Sequence, residues 1–122
     1  MTPDSGERVE TRTIAMAMDL DPDPDRIAEY EAHHRAVWPE VVAGLHGIGI
    51  RQMRIYRCGS RLFMTCEVPV GFDPVRDYQT YAEDPRCREW DALMRTYQRQ
   101  VPSADPEAWW TPMDPVFELP LR

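Results

Sequence analysis

Apolar and polar positions change rhythm several times along the chain, and each change marks an element. From Val9 to Leu20, Ile14, Met16 and Met18 alternate with Thr13, Ala15 and Ala17, the period-two pattern of a strand with unequal faces. The run Asp19-Leu20-Asp21-Pro22-Asp23-Pro24-Asp25 stops it. Asp23 suits a helix N-cap, Pro24 the first helical position, and Asp25 the positive end of the helix dipole. A helix from Pro24 to about Arg35 then sets Ile27, Tyr30 (or Glu31) and His34 along one stripe. Pro39 restarts a helix whose apolar face is Val41, Val42 and Leu45, and Gly47 and Gly49 end it. Ile48 to Arg57 reads as a second strand and Arg61 to Val68 as a third, joined at Cys58-Gly59-Ser60 as a hairpin. Neither face of the second strand is purely apolar, which points to a sheet face lining a polar cleft. Phe72 to Ala82 reads as a short helix. A longer one, capped by Asp84, runs from Pro85 to about Gln98, with Trp90, Leu93, Met94 and Tyr97 at helical spacing. Val101 to Ala108 is a linker containing prolines, and Val116 to Leu119 is a short last strand.

The order strand, helix, strand, strand, helix, helix, strand predicts an α+β chain built as a ferredoxin-like β-α-β-β-α-β sandwich. Helices then cover one face of the antiparallel sheet. The other face needs cover as well, and so short a chain has nothing left to supply it. A second copy is the simplest cover, which predicts a homodimer, a dimeric α/β barrel with two sheets face to face. Residues 1–8 are polar and read as a flexible leader; 9–122 read as a single domain.

Composition narrows the partners. The chain has 122 residues and a net charge of −7. That disfavours nucleic acid and an anionic membrane surface, both of which attract basic proteins. All 14 basic residues are arginine, and they are scattered. No apolar run approaches the roughly 18 residues of a membrane span. Cys58, Cys66 and Cys87 are odd in number and lack CxxC spacing, so neither a disulfide framework nor a zinc site is indicated. A cytoplasmic protein fits these features.

Candidate chemistry concentrates in Glu29–Glu40. His34 and Tyr30 share a helix face, and imidazole has an unperturbed pKa near 6.5, suited to proton transfer. The ordinary alternative is a histidine held at a helix end by the dipole. His33 points about 100° away and is expected to be exposed and uninvolved. Metal binding by this pair is disfavoured, because adjacent helical residues do not converge on one ion. Trp90 reads as core by spacing, although an indole also suits the C–H face of a sugar. Trp109-Trp110 reads as a lid or an intersubunit contact.

The run Glu29-Tyr30-x-x-x-His34-x-x-x-Trp38-Pro39-Glu40 resembles the signature of the L-rhamnose mutarotase family. Ile55-Tyr56, Leu62-Phe63, Asp84-x-x-Cys87-x-x-Trp90-x-x-x-Met94 and Val116-Phe117-x-Leu119-Pro120 resemble later segments of that family in the same order. The resemblance implies a small, cytosolic, cofactor-free dimer that interconverts the α and β anomers of L-rhamnose or, in related members, L-fucose. It implies His34 as proton donor and Tyr30 and Trp90 as sugar contacts. Two positions depart from the pattern. Met53 stands where a tyrosine is common, and Asp91 stands where a second tryptophan follows the first. Asp91 is a further candidate for binding a sugar hydroxyl. Two other readings share the same elements. One is a monooxygenase-like dimeric barrel, cofactor-independent or haem-binding; the other is a non-catalytic sugar-binding module.

Overall fold

A computed structural model describes residues 10–102, 104 and 109–119; the expected leader lies outside these. The elements are β1 (Thr11–Leu20), α1 (Pro24–His34), α2 (Pro39–Gly47), β2 (Gln52–Cys58) and β3 (Arg61–Pro69). They are followed by α3 (Pro74–Tyr81), α4 (Pro85–Arg95), β4 (Gln98–Arg99) and β5 (Thr111–Pro112). The sheet is antiparallel with order β2-β3-β1-β4, and β5 also pairs with β1. This is the ferredoxin-like arrangement expected from the sequence.

Local chemistry sets the helix starts. Three helices open on Asp-Pro. The carboxylates of Asp23, Asp73 and Asp84 accept from the backbone N–H groups of Asp25, Val75 and Arg86 respectively. Each proline occupies the first turn, where its missing N–H costs nothing. Between α2 and β2 the chain reverses at Gly49, whose φ of 101° suits glycine. The N–H of Ile50 then bonds to Leu45 O, which holds residues 48–51 in a turn and delays β2 to Gln52.

The sheet's register separates two faces. Met16 lies opposite Met64, Ile14 opposite Cys66 and Met53 also opposite Cys66. These side chains and their period-two neighbours Leu62, Val68 and Ile55 point toward the helices. Leu62, Met64, Cys66 and Val68 are all buried. The opposite face carries Thr13, Ala15, Phe63, Thr65, Arg54 and Tyr56, and no helix among the described residues covers it. Tyr56 is 56% exposed.

Two expected elements differ. The second long helix ends at Arg95, and Gln98 leaves it to pair with Leu20 as β4. The helical period still places Tyr97 and Gln98 inward, so the pattern does not reveal the break. The predicted strand at Val116–Leu119 does not form. β4 and β5 already occupy the free edge of β1, and Pro115 lacks a ladder donor. Val116, Phe117 and Leu119 are exposed at 97%, 71% and 79%.

Candidate active site

A cavity of about 400 Å³ lies between the inner sheet face and the helices. That is the size of many small-molecule sites. Its floor is Met16, Met53, Ile55 and Met64 from the sheet. Tyr30 and His34 enter from α1, and Tyr81 from α3. Trp90, Asp91 and Met94 enter from α4, and Gln98 from β4. Trp109 and Trp110 also line it, so the tryptophan pair reaches the cavity of its own chain. All four candidates from the sequence, Tyr30, His34, Trp90 and Asp91, therefore meet around one space.

His34 sits in the last turn of α1 with its geometry fixed. Its Nδ1 lies 2.9 Å from the carbonyl oxygen of Tyr30. A backbone carbonyl only accepts, so Nδ1 carries the proton and donates. In the neutral ring Nε2 is then an acceptor. The imidazole stacks at a tilt on the Tyr30 ring, with centroids 4.4 Å apart. Trp90 meets it edge-on at 5.4 Å, and Trp38 supports Trp90 at 5.3 Å. Trp38 thus does more than precede the proline that starts α2; it backs the indole on the cavity wall. Burial lowers the His34 pKa, the carbonyl bond partly opposes this, and the neighbouring His33 lowers it further. The resting ring is neutral at neutral pH.

Tyr30 is buried, and desolvation pushes its phenol up to about 12. A hydrogen bond from the Gln98 side chain partly offsets that rise. Gln98 is the one buried polar residue among those described, 7% exposed. Sequence reasoning missed it because it was read as the last turn of a helix; a polar residue on an otherwise apolar stripe was the available signal. Asp91 is half-buried, and Tyr81 Oη donates to its Oδ1 at 3.3 Å. Burial raises the Asp91 pKa, while Arg95 and the Tyr81 bond pull it down.

His33 corrects an expectation. It is not exposed: its Nε2 lies 3.2 Å from the Tyr97 hydroxyl, which donates in turn to Glu29 Oε1 at 3.1 Å. The end of α1 packs against residues just beyond α4, so a rotation of about 100° still lands on protein. His33 nevertheless does not line the cavity. Among the described residues no group of three or more His, Cys, Asp or Glu side chains could hold a metal ion. No helix among them is long and apolar enough to cross a membrane.

Residues 13–119 match a protein family described as L-rhamnose mutarotase. The chain belongs to that family. An L-fucose mutarotase of Xanthomonas campestris pv. campestris is 41% identical, over 76% of each chain. A UPF0734 protein of Dictyostelium discoideum is 42% identical over 88% of this chain and 90% of its own. The crystal structure of an L-rhamnose mutarotase from Formosa agariphila has the same fold, with a TM-score of 0.64 at 20% identity. That match covers 88% of this chain and 98% of the other. Mutarotases of this family are carbohydrate isomerases. Met53 and Asp91, the two positions expected from the sequence to depart from the family pattern, both line the cavity.

Proposed function

We propose that the protein is an aldose mutarotase that interconverts the α and β anomers of a 6-deoxy-L-sugar, L-rhamnose or L-fucose. The observation that carries this reading is His34, with Nδ1 bound to a carbonyl and Nε2 left as an acceptor in a cavity of sugar size, in a chain of this family. Neutral Nε2 takes the proton from the anomeric hydroxyl as the ring opens. The imidazolium so formed returns it when the ring closes on the other face. The proton-donor role implied by the family resemblance then falls in the closing half of the cycle. Tyr30 and Asp91 offer polar contacts to sugar hydroxyls, and Trp90 offers an aromatic wall for the C–H face. The methionine floor suits a deoxy methyl group, since thioether side chains adapt to small apolar shapes. The reaction needs no covalent intermediate and no change of oxidation state, so proton transfer alone suffices.

A second copy completes this reading. Among the described residues no helix covers the outer sheet face, and Val116, Phe117 and Leu119 stand in solvent on the single chain. A homodimer that stacks the two outer faces covers both. Three free thiols, with Cys58 exposed, suit the reducing cytoplasm.

Saturation-transfer NMR of L-rhamnose and L-fucose tests the activity. Exchange between anomers faster than in buffer is expected, and it should vanish in His34→Ala. Binding of either sugar without faster exchange would favour the non-catalytic module instead.

A further inference from the structure

A cyclic hemiacetal opens when one proton leaves the anomeric hydroxyl and another reaches the ring oxygen. His34 presents one free nitrogen and serves one of these atoms at a time. The cavity wall carries a single carboxyl among the described residues, that of Asp91. Its Oδ1 is held by the Tyr81 hydroxyl at 3.3 Å, and no other hydrogen bond to this side chain is made by the described residues. Oδ2 is therefore left for a ligand. The adjacent residue, Trp90, packs edge-on to His34 at 5.4 Å, so the turn of α4 bearing Asp91 lies against the end of α1 bearing the imidazole. On the mutarotase reading, and from these contacts, we propose that Asp91 is the second proton-transfer residue, delivering a proton to the ring oxygen while His34 removes the one on the anomeric hydroxyl.

The step balances. The O–H bond electrons of the anomeric hydroxyl become the second C–O bond of the aldehyde. The pair of the C1–ring-oxygen bond passes to the ring oxygen, which takes the Asp91 proton. His34 ends as imidazolium and Asp91 as carboxylate. Rotation about C1–C2 exposes the other carbonyl face. The C5 hydroxyl then adds to it, losing its proton to Asp91, while His34 reprotonates the anomeric oxygen. Both residues return to their starting states.

Burial shifts Asp91 toward keeping its proton to higher pH than a free carboxyl does. Burial opposes ionisation, whereas the Tyr81 bond to Oδ1 partly favours the carboxylate. Arg95, on the same helix and also lining the cavity, pulls toward the carboxylate as well, less strongly than burial opposes it. Burial raises the Tyr78 and Cys87 pKa values, and an ionised Asp91 would add to both shifts, so neither group competes with Asp91 as an acid near neutral pH.

The test is saturation-transfer exchange with wild type, Asp91→Asn and Asp91→Ala, with and without added formate. Asparagine keeps the shape and the Tyr81 contact but has no acidic proton. We expect KM within about twofold of wild type and kcat about 100-fold lower in Asp91→Asn, the low end of general acid–base effects. Formate, a small acid that fits the space vacated in Asp91→Ala, should restore about tenfold in that variant and nothing in Asp91→Asn. Wild-type kcat in Asp91→Asn, or a loss confined to KM, overturns the proposal and leaves the mutarotase reading standing. So does an Asp91→Ala loss that formate does not relieve. A wild-type protein no faster than buffer overturns both.

Discussion

His33 and His34 are neighbours on one helix, each beside a tyrosine, yet their surroundings differ in kind. His34 gives one nitrogen to the Tyr30 carbonyl and keeps the other for a cavity. His33 gives its Nε2 to Tyr97, whose hydroxyl is bound to Glu29, itself paired with Arg26 at 3.0 Å. The Arg26 guanidinium also lies 4.0 Å over the Tyr97 ring. Every strong polar group in the second set is spent on another part of the protein. A reactive site needs the opposite: an orientation fixed by one contact and a valence left over for a ligand. The same residue types at adjacent positions thus make a structural clasp on one side of α1 and a candidate proton-transfer centre on the other.

The largest test of this contrast is removal of each imidazole in turn. His34→Ala should lower the anomer exchange rate by about 10²–10⁴-fold, the usual range for a lost general acid–base group. His33→Ala should leave exchange within about twofold, because the hydrogen bond it loses is worth roughly 1 kcal/mol of stability and touches no ligand. Equal losses in both variants, measured by NMR exchange on folded protein, would erase the distinction.

Acidity gives the next test. Because burial lowers the His34 pKa, the neutral base persists to more acidic pH than a free imidazole allows. The acid limb of the wild-type exchange profile, where the His34 base is lost, should lie below about 6.5, the unperturbed value. The sign for stability agrees. The unfolded chain takes up the proton first as pH falls, so His34's contribution is present above about 6.5 and is lost as pH drops through the folded value. A kcat profile that already falls above pH 7 would contradict a neutral resting imidazole.

How much of this contrast was legible in the residues depends on how local each feature is. The Asp-Pro starts at Asp23, Asp73 and Asp84 were legible, since a cap is decided within four residues. Alternation in β1 and β3 gave the inner face for the same reason. Gln98 was not legible: a two-residue strand directly after a helix keeps the helical stripe in phase, and only pairing with Leu20 distinguishes it. Val116–Leu119 failed from the other side. Its apolar content suits a strand, but a strand also needs a free edge, and β4 and β5 fill the one beside β1. His34 stood out from His33 through its family resemblance, whereas helical geometry alone gave only their different directions. The convergence of Asp91 with Tyr81 depends on how α3 packs on α4, which no spacing encodes.

Packing around that convergence yields a further expectation. Gly44 on α2 faces Cys87 and Tyr81, and a Cβ there would stand 2.9 Å from Cys87 Sγ and 3.0 Å from Tyr81 Cδ1. Cys87 is fully buried and Tyr81 is buried, so neither can move away freely. Gly44→Ala should cost about 1–3 kcal/mol by overpacking, read as a lower urea midpoint. It should also displace Tyr81 from Asp91 and reduce exchange, while the His33 clasp, on the far side of α1, keeps its thermal contribution.

The smallest expected effect lies at Gln98, which links the two sides because it follows Tyr97 of the clasp and touches Tyr30 of the cavity. Its amide restrains the phenol that stacks under His34. Gln98→Met keeps the volume and the apolar fit but removes that hydrogen bond. The buried Tyr30 hydroxyl then loses a partner at a cost of about 1 kcal/mol. The phenol pKa, now set by burial without the offset, should rise further, which a spectrophotometric alkaline titration can read. Exchange should slow only severalfold, since His34 keeps its own anchor on the Tyr30 carbonyl. Gln98→Glu separates position from charge: it can still hydrogen-bond Tyr30, but it places a second carboxyl in the cavity. If Gln98→Met slowed exchange as severely as His34→Ala, the backbone anchor would not be what orients the imidazole, and the contrast between the two histidines would rest on Tyr30 instead.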